Sequence, residues 1–380
     1  MQVVYATEQM PKRITKSIFL AGPTPRTEEV EGWREEALNY LNYIGFNGTV
    51  FIPEPRYGVF SEYTDQIEWE HKFLNAADLI VFWIPRDLSL DSNDKLRMPA
   101  FTTNIEFGMY HQSHRIIVGF PKSAPHTRYI EAVCDKNDIP VYYSLESLLD
   151  YANETLQDNS RVDGECYVPA LLWKTPEFQH WYKQQKSAGN VLCDLKIEYN
   201  FYMPRLKKLF LWIAKVDVFI TSEQRHKDIE FVLSRSDLSS VVLYHNDEIV
   251  LIKEFRSPCC NNKCFVYEIP GGSAHEEKEP KITAFEEVQE ETGIQLDINN
   301  LKYVNCRQAM ATLSAHRIHL FSYKLTKEQM AEIKKHENDV HGLEEDTERT
   351  YIVVKSLKEI LSDNLLDWNN IGMILEAINR

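Results

Sequence analysis

The chain of 380 residues is too long for one compact core, and its 43% hydrophobic, 12% aromatic and 26% charged residues are those of packed domains, not of a disordered segment. A formal net charge of −15 excludes a general binder of the nucleic-acid backbone, which needs a basic surface to release counterions. Small anionic ligands stay open, because a metal ion can supply positive charge locally.

The seven cysteines are scattered, the first residues lack the apolar stretch of a secretory signal, and no apolar run approaches the roughly 20 residues needed to cross a bilayer. A reduced, cytoplasmic protein without membrane contact is expected. Cys259, Cys260 and Cys264 in SPCCNNKC have no second ligand pair at zinc-finger spacing and read as an ordinary loop.

The first 150 residues alternate strand-like and helix-like stretches: SIFLAGP, a polar helix-patterned run from Glu28 to Tyr43, TVFIPEP, an amphipathic run ending at Ala77, then LIVFWIP, NIEFGMYHQ and IIVGFP. This rhythm predicts a parallel α/β sheet with its ligand site at the carboxyl ends of the strands, in the turns AGPTPR, PEPR, WIPRD and GFPKS. Between about Asn153 and Asn200 the periodicity weakens, and the aromatic piece ALLWKTPEFQHWYKQQ fits either a linker helix or an extension of a neighbour. From Val216 the strand-like runs VDVFIT, SSVVLYH, EIVLIKEF and CFVYEIP precede one acidic helix, and YVNCRQAM and HRIHLFSYKL follow it, which is the α+β order of a mixed sheet. The expected division is 1–155, a linker or extension over 156–200, and 201–380.

The segments FLAGPTPR, QIEWEHKFLNAADLIVFWIP and PAFTTNIEFG together resemble the nucleoside 2-deoxyribosyltransferase-like family. The resemblance implies a flavodoxin-like fold, with Glu106 of Thr103-Asn104-Ile105-Glu106-Phe107-Gly108 matching the family's nucleophile. Glu70, eight positions before Asp78, matches the acidic residue that recognises or protonates the leaving base. Gly22, Pro23, Arg26, Asp78 and Asn104 are the implied substrate contacts, and Arg56 can reach the same mouth. Phe19 stands where well-studied members carry a tyrosine. Cleaving an N-glycosidic bond through a covalent intermediate needs a carboxylate on the sugar and a polar group at the base, and Glu106 and Glu70 supply them. Plainer readings stay open: helix-dipole placement for Glu106, a turn for Asp78, surface ion pairs for Arg26 and Arg56, and core packing for Trp69, Phe82 and Trp83.

In GGSAHEEKEPKITAFEEVQEETGI, Pro280 suits the first turn of a helix and Gly293 its end, so Ile282 to Thr292 should be helical. Glu287, Glu290 and Glu291 then share one face, a like-charge cluster that a hard divalent cation would compensate and that also fits a solvated acidic face. The segment resembles the Nudix box, with Gly272, Glu287, Val288, Glu290, Glu291, Gly293 and Ile294 in register. Lys278 replaces its first glutamate and Glu286 its arginine, two residues that in the family hold loop and helix together; Glu286 has no obvious partner in the sequence. Among Nudix proteins the stretch from about Phe201 is most similar to ADP-ribose and nucleotide-sugar pyrophosphatases. That resemblance implies Mg²⁺ or Mn²⁺ on Glu287, Glu290 and Glu291, substrate contacts at Gly272 and Arg256, and a late catalytic glutamate at Glu345 or Glu348 in GLEEDTERTYIVV.

The expected function is a bifunctional enzyme on small nucleosides and nucleotides, one domain breaking or transferring an N-glycosidic bond and the other hydrolysing a nucleoside diphosphate derivative such as ADP-ribose. Two alternatives are an NAD glycohydrolase coupled to ADP-ribose hydrolysis, and a Nudix domain that senses a nucleotide without cutting it. Both families commonly form homo-oligomers, which is the expected assembly.

Overall fold

The computed structural model describes residues 1–57, 62–261, 263–273, 278–341, 349–363 and 366–379. It divides into two compact units, Met1–Val232 and Leu233–Arg380. Among the described residues no helix is long and apolar enough to cross a membrane.

The first unit opens with β1 (Gln2–Ala6), β2 (Arg13–Ile14), β3 (Ser17–Ala21), α1 (Trp33–Tyr43), β4 (Thr49–Pro55), α2 (Tyr63–Ala76) and β5 (Leu79–Trp83). The short β6 (Asp87–Leu90) and β7 (Leu96–Met98) pair with each other ahead of α3 (Phe101–Tyr110), β8 (Ile116–Gly119), α4 (Arg128–Lys136), β9 (Val141–Tyr142) and α5 (Leu145–Thr155). Six strands form one all-parallel sheet in the order β1-β4-β3-β5-β8-β9, the flavodoxin-like arrangement with β1 added at one edge. Helices cover both faces. Every residue of β3 and β5 is therefore buried, which is why SIFLA and LIVFW read as unbroken apolar runs instead of alternating. Phe19, Phe51, Phe73 and Phe82 pack on one face, and Leu20, Val50, Leu41 and Trp33 on the other. The chain leaves β3 toward β4 on one side and later toward β5 on the other, so a crevice opens at the carboxyl ends of β3 and β5.

The stretch 156–232 belongs to this unit, and the expected boundary near Phe201 falls inside a strand. After β10 (Arg161–Val162), which pairs with β2, come α6 (Ala170–Trp173) and α7 (Pro176–Ser187), then β11 (Val191–Met203), β12 (Lys208–Ile220) and β13 (Arg225–Arg235) in a three-stranded sheet. Thr175 caps α7 by accepting from the Phe178 amide, with Pro176 in the first turn. The aromatic run is thus a packed helix, its Phe178 and Tyr182 set against the buried Trp212.

The second unit contains β14 (Leu238–His245), β15 (Glu248–Phe255), β16 (Phe265–Glu268), β17 (Gly271–Gly272), α8 (Pro280–Thr292), β18 (Lys302–Gln308), β19 (Arg317–Lys324), α9 (Lys327–Lys335), β20 (Val340–His341), β21 (Thr350–Ser356), α10 (Leu357–Asp363) and α11 (Trp368–Ile378). The eight strands form one mixed sheet along β18-β19-β14-β15-β21-β20, with β16 on β15 and β17 on β14; β14 and β19 run parallel. Alternation decides the two faces: Val241 and Val250 meet Ala284 and Val288 of α8, whereas Val242 and Leu251 meet Ile374 and Ala377 of α11. The mixed sheet and acidic helix match the sequence reading; α9, α10 and α11 were not expected. Gly293, at φ +65°, ends α8 in the left-handed conformation that favours glycine.

Candidate functional sites

In the first unit the crevice is organised around Arg34, at the start of α1. Its buried guanidinium donates to Leu20 O (3.1 Å), Gly22 O (2.6 Å), Thr24 Oγ1 (3.2 Å) and Glu54 Oε1 (2.5 Å), tying the end of β3 to the end of β4. Gly22 is required sterically, since a Cβ there would lie 2.2 Å from Trp83 O and 2.7 Å from the Trp33 ring. The same guanidinium is close enough to Glu106 of α3 and Glu70 of α2 for each charge to feel the others.

Burial pushes the Glu106 carboxyl up to about 7; Glu70 adds to that rise and Arg34 opposes it. Glu70 is also raised by burial, against the Gln66 side-chain amide, which donates to it at 2.8 Å, and the Arg34 charge. Two coupled carboxyls beside a fixed cation, one of them titrating near neutrality, are suited to covalent or acid–base work at physiological pH.

The remaining expected residues fall in several places. Gly22 and Pro23 turn their carbonyls to Arg34 and to Trp33 Nε1 (3.0 Å), and Arg26 is exposed. Asn104 Oδ1 accepts from Arg86 Nη2 at 2.5 Å, and Arg86 also holds the carbonyls of Pro125 and His126. Arg56 pairs with Glu8 (3.5 Å) and lies over the Tyr5 ring. Phe19, Phe82 and Trp83 are core, and Trp69 stacks on Phe73 at 4.1 Å.

Asp78 is a correction. It lies at the start of β5, on the sheet edge opposite the crevice, where both oxygens are committed: Arg161 donates at 2.7 and 2.5 Å, Ser17 N at 2.8 Å and Ala170 N at 2.6 Å. It is a buried anchor for residues 161–170, not a substrate contact. Asp78→Ala, by leaving the Arg161 charge buried and unpaired, is expected to destabilise the fold by about 3–5 kcal/mol in denaturant unfolding. A change near zero would remove that role.

In the second unit α8 carries its glutamates against the β17 turn. Gly271 N donates to Glu291 Oε2 at 2.8 Å, and a Cβ at Gly272 would sit 2.5 Å from the Glu287 carboxylate, so this glycine makes the cradle for that side chain. Glu291 is buried, which drives its carboxyl well up; the Gly271 amide resists, and Glu287, Glu268 and Glu254 push further in the same direction. Glu290, an expected metal ligand, is exposed. Sequence reading missed Glu254 and Glu268, although both lie in quoted segments, IKEF and YEIP. Glu287, Glu268 and Glu254 are near enough to Glu291 to act on its charge, and carboxylate oxygens are the donors a hard divalent cation takes.

Arg256 Nε pairs with Glu254 at 2.8 Å, and the half-buried Arg235 donates to Ser273 Oγ at 2.9 Å. Burial lowers the Arg235 pKa, Arg256 lowers it further and Glu287 raises it, so both guanidiniums stand beside the carboxylates. Glu345 and Glu348 lie outside the described residues.

The altered box positions meet each other: Lys278 Nζ donates to Glu286 Oε2 at 2.8 Å. This corrects the reading of Glu286 as unpartnered, because the loop-to-helix ion pair is present with its charges exchanged. An exposed pair of this kind contributes about 0.2–1 kcal/mol. Lys278→Glu alone or Glu286→Arg alone should therefore slow hydrolysis up to about fivefold, and the double variant should return within about twofold of wild type. Additive losses in the double variant would show that the pair is not a brace.

Residues 15–124 match the family model described as nucleoside 2-deoxyribosyltransferase like, and residues 236–358 match that of the NUDIX domain. No curated protein matches the chain. Among solved structures, the chain is similar to a crystal structure of an ADP compounds hydrolase, at 13% identity and a TM-score of 0.36 over 49% of this chain and 91% of that one, a likeness too slight to bear on either site. The chain therefore carries a nucleoside 2-deoxyribosyltransferase-like domain in its first unit and a NUDIX domain in its second.

Proposed function

We propose that the protein processes nucleotides at two sites, cleaving or transferring an N-glycosidic bond in the first unit and hydrolysing a nucleoside diphosphate derivative such as ADP-ribose in the second. The observation that carries the first half is Glu106, held near neutrality between Glu70 and Arg34 at the carboxyl edge of the parallel sheet. Ionised Glu106 attacks the anomeric carbon as the C1′–N bond breaks with its electron pair on the base, and Glu70, hydrogen-bonded to the base, gives it a proton. Water or a second base then displaces Glu106. Arg34 stabilises the carboxylate form and fixes the AGPT turn.

In the second unit, Glu287 and Glu291 with Glu254 and Glu268 would hold a divalent cation. Mg²⁺ or Mn²⁺, when bound, supplies positive charge to the diphosphate as water attacks phosphorus. Arg235 and Arg256 orient the anionic substrate, and buried Glu291 anchors the β17 turn through Gly271. The sensor alternative drew on Lys278 and Glu286, and their mutual ion pair removes that ground for it.

Mass-spectrometric screening of nucleosides, nucleotides, NAD⁺ and ADP-ribose with wild type, Glu106→Ala and Glu291→Gln tests both halves. Free base lost only in Glu106→Ala and AMP lost only in Glu291→Gln is the expected pattern. Unchanged products in both variants would end the reading, and base release from NAD⁺ in preference to deoxynucleosides would replace the first substrate class.

A further inference from the structure

Strands β11, β12 and β13 of the first unit bring Cys193, Asp217 and His226 together, one ligand atom of each within 4.8 Å of the others. The strand register explains the meeting. Leu192 pairs with Val218 and Asp194 with Asp217, so Cys193 is an extra residue bulged into β11. A bulge bends the strand and re-aims its side chain. Here Cys193 and Asp194 fall in succession between the buried Leu192 and Leu195, which turns the thiol toward Asp217 instead of into the core.

His226 Nδ1 lies 2.9 Å from Asp217 Oδ1, and its ring rests on Phe219 with centroids 5.2 Å apart, which restricts its rotation. Asp194, across from Asp217, is drawn off by Lys72 at 3.7 Å. The thiol and carboxylate are partly buried and the imidazole is open to solvent, so an ion has an entry path.

We propose that Cys193, Asp217 and His226 bind one Zn²⁺ or similar transition-metal ion, with water as the fourth ligand. One sulfur, one oxygen and one nitrogen form a donor set for a borderline-soft cation, whereas Mg²⁺ and Ca²⁺ take oxygen ligands. Tetrahedral bonds of about 2.0–2.3 Å put ligand atoms roughly 3.3–3.8 Å apart, so the Asp217–His226 pair opens slightly from 2.9 Å by a small rotation of the exposed imidazole as the thiol closes on it. As the sulfur–metal bond forms, the thiol proton passes to solvent. The ion would cross-link three strands at the bulge. This site is independent of the two reactions proposed above and of the carboxylates of the second unit.

The test uses the reduced, metal-free, full-length protein titrated with Co²⁺. A thiolate-to-cobalt charge-transfer band saturating at one equivalent and bleached by Zn²⁺ is expected. Cys193→Ser abolishes that band, and His226→Ala weakens the apparent Zn²⁺ affinity by about tenfold or more; because His226 is exposed, this variant keeps the wild-type far-ultraviolet circular dichroism. Added Zn²⁺ raises the Tm of wild type more than that of either variant. No band in wild type, or a band unchanged in both variants, as Cys259, Cys260 and Cys264 would give, overturns the site.

Discussion

Replacing Glu106 with alanine is expected to lower the release of free base by about 10³-fold or more while leaving hydrolysis of the diphosphate substrate within about twofold. The variant removes the only proposed nucleophile, and the groups proposed for the second reaction are other residues. A pH profile gives a sharper check. Because Glu106 ionises near 7, kcat/KM for base release should rise with pH through that value and level off above it. The same shift has a stability sign. The folded protein keeps the Glu106 proton up to about 7, whereas the unfolded chain loses it near 4.5, so the contribution of this group to stability falls as pH rises between those values. Glu106→Gln should therefore raise the Tm above pH 7 and converge on wild type below 4.5. A variant that retains base release, or a rate flat across neutrality, would remove Glu106 from the reaction.

Glu291→Gln should reduce divalent-metal-dependent hydrolysis by about 10³-fold, since a lost metal-site charge removes several kcal/mol of transition-state stabilisation. Glutamine also cannot accept from Gly271 N with the strength of a carboxylate. Glu290→Gln is the matched control, because Glu290 is exposed where Glu291 is buried. If the control loses as much activity as Glu291→Gln, Glu290 belongs to the metal set, and the helix face does not divide into a buried ligand and an exposed bystander. Raising the metal concentration should rescue a weakened site in part, and it would leave a merely unfolded variant inactive.

The parallel sheet was legible because strands buried on both faces must be apolar throughout, as SIFLA and LIVFW are. The acidic helix was legible because Pro280 and Gly293 bracket it. Helix α11 was not read although Ile371, Ile374 and Ile378 recur at helical spacing behind the capping Asp367, because the run is only three turns long and opens with an exposed Trp368. Glu106 and Glu70 could be found from short motifs. Arg34, Glu54, Glu254, Glu268 and Arg235 could not, since each reaches its site from a different strand or helix and pattern reveals a residue's face, not its neighbour. Asp78 shows the limit: its spacing from Glu70 was suggestive, but Arg161, 83 residues away, decides its role.

The exchanged ion pair between Lys278 and Glu286 bears on how such a box can change. Relative to the Nudix pattern of glutamate and arginine, altering either position alone sets like charges against each other, two cations or two anions, before the second change restores attraction. The two positions are epistatic: each residue is tolerable only in the company of the other, and a route through single steps crosses a shallow valley of about 1 kcal/mol or less at so exposed a place. What the pattern constrains at these two sites is the sign of a product, and either polarity satisfies it.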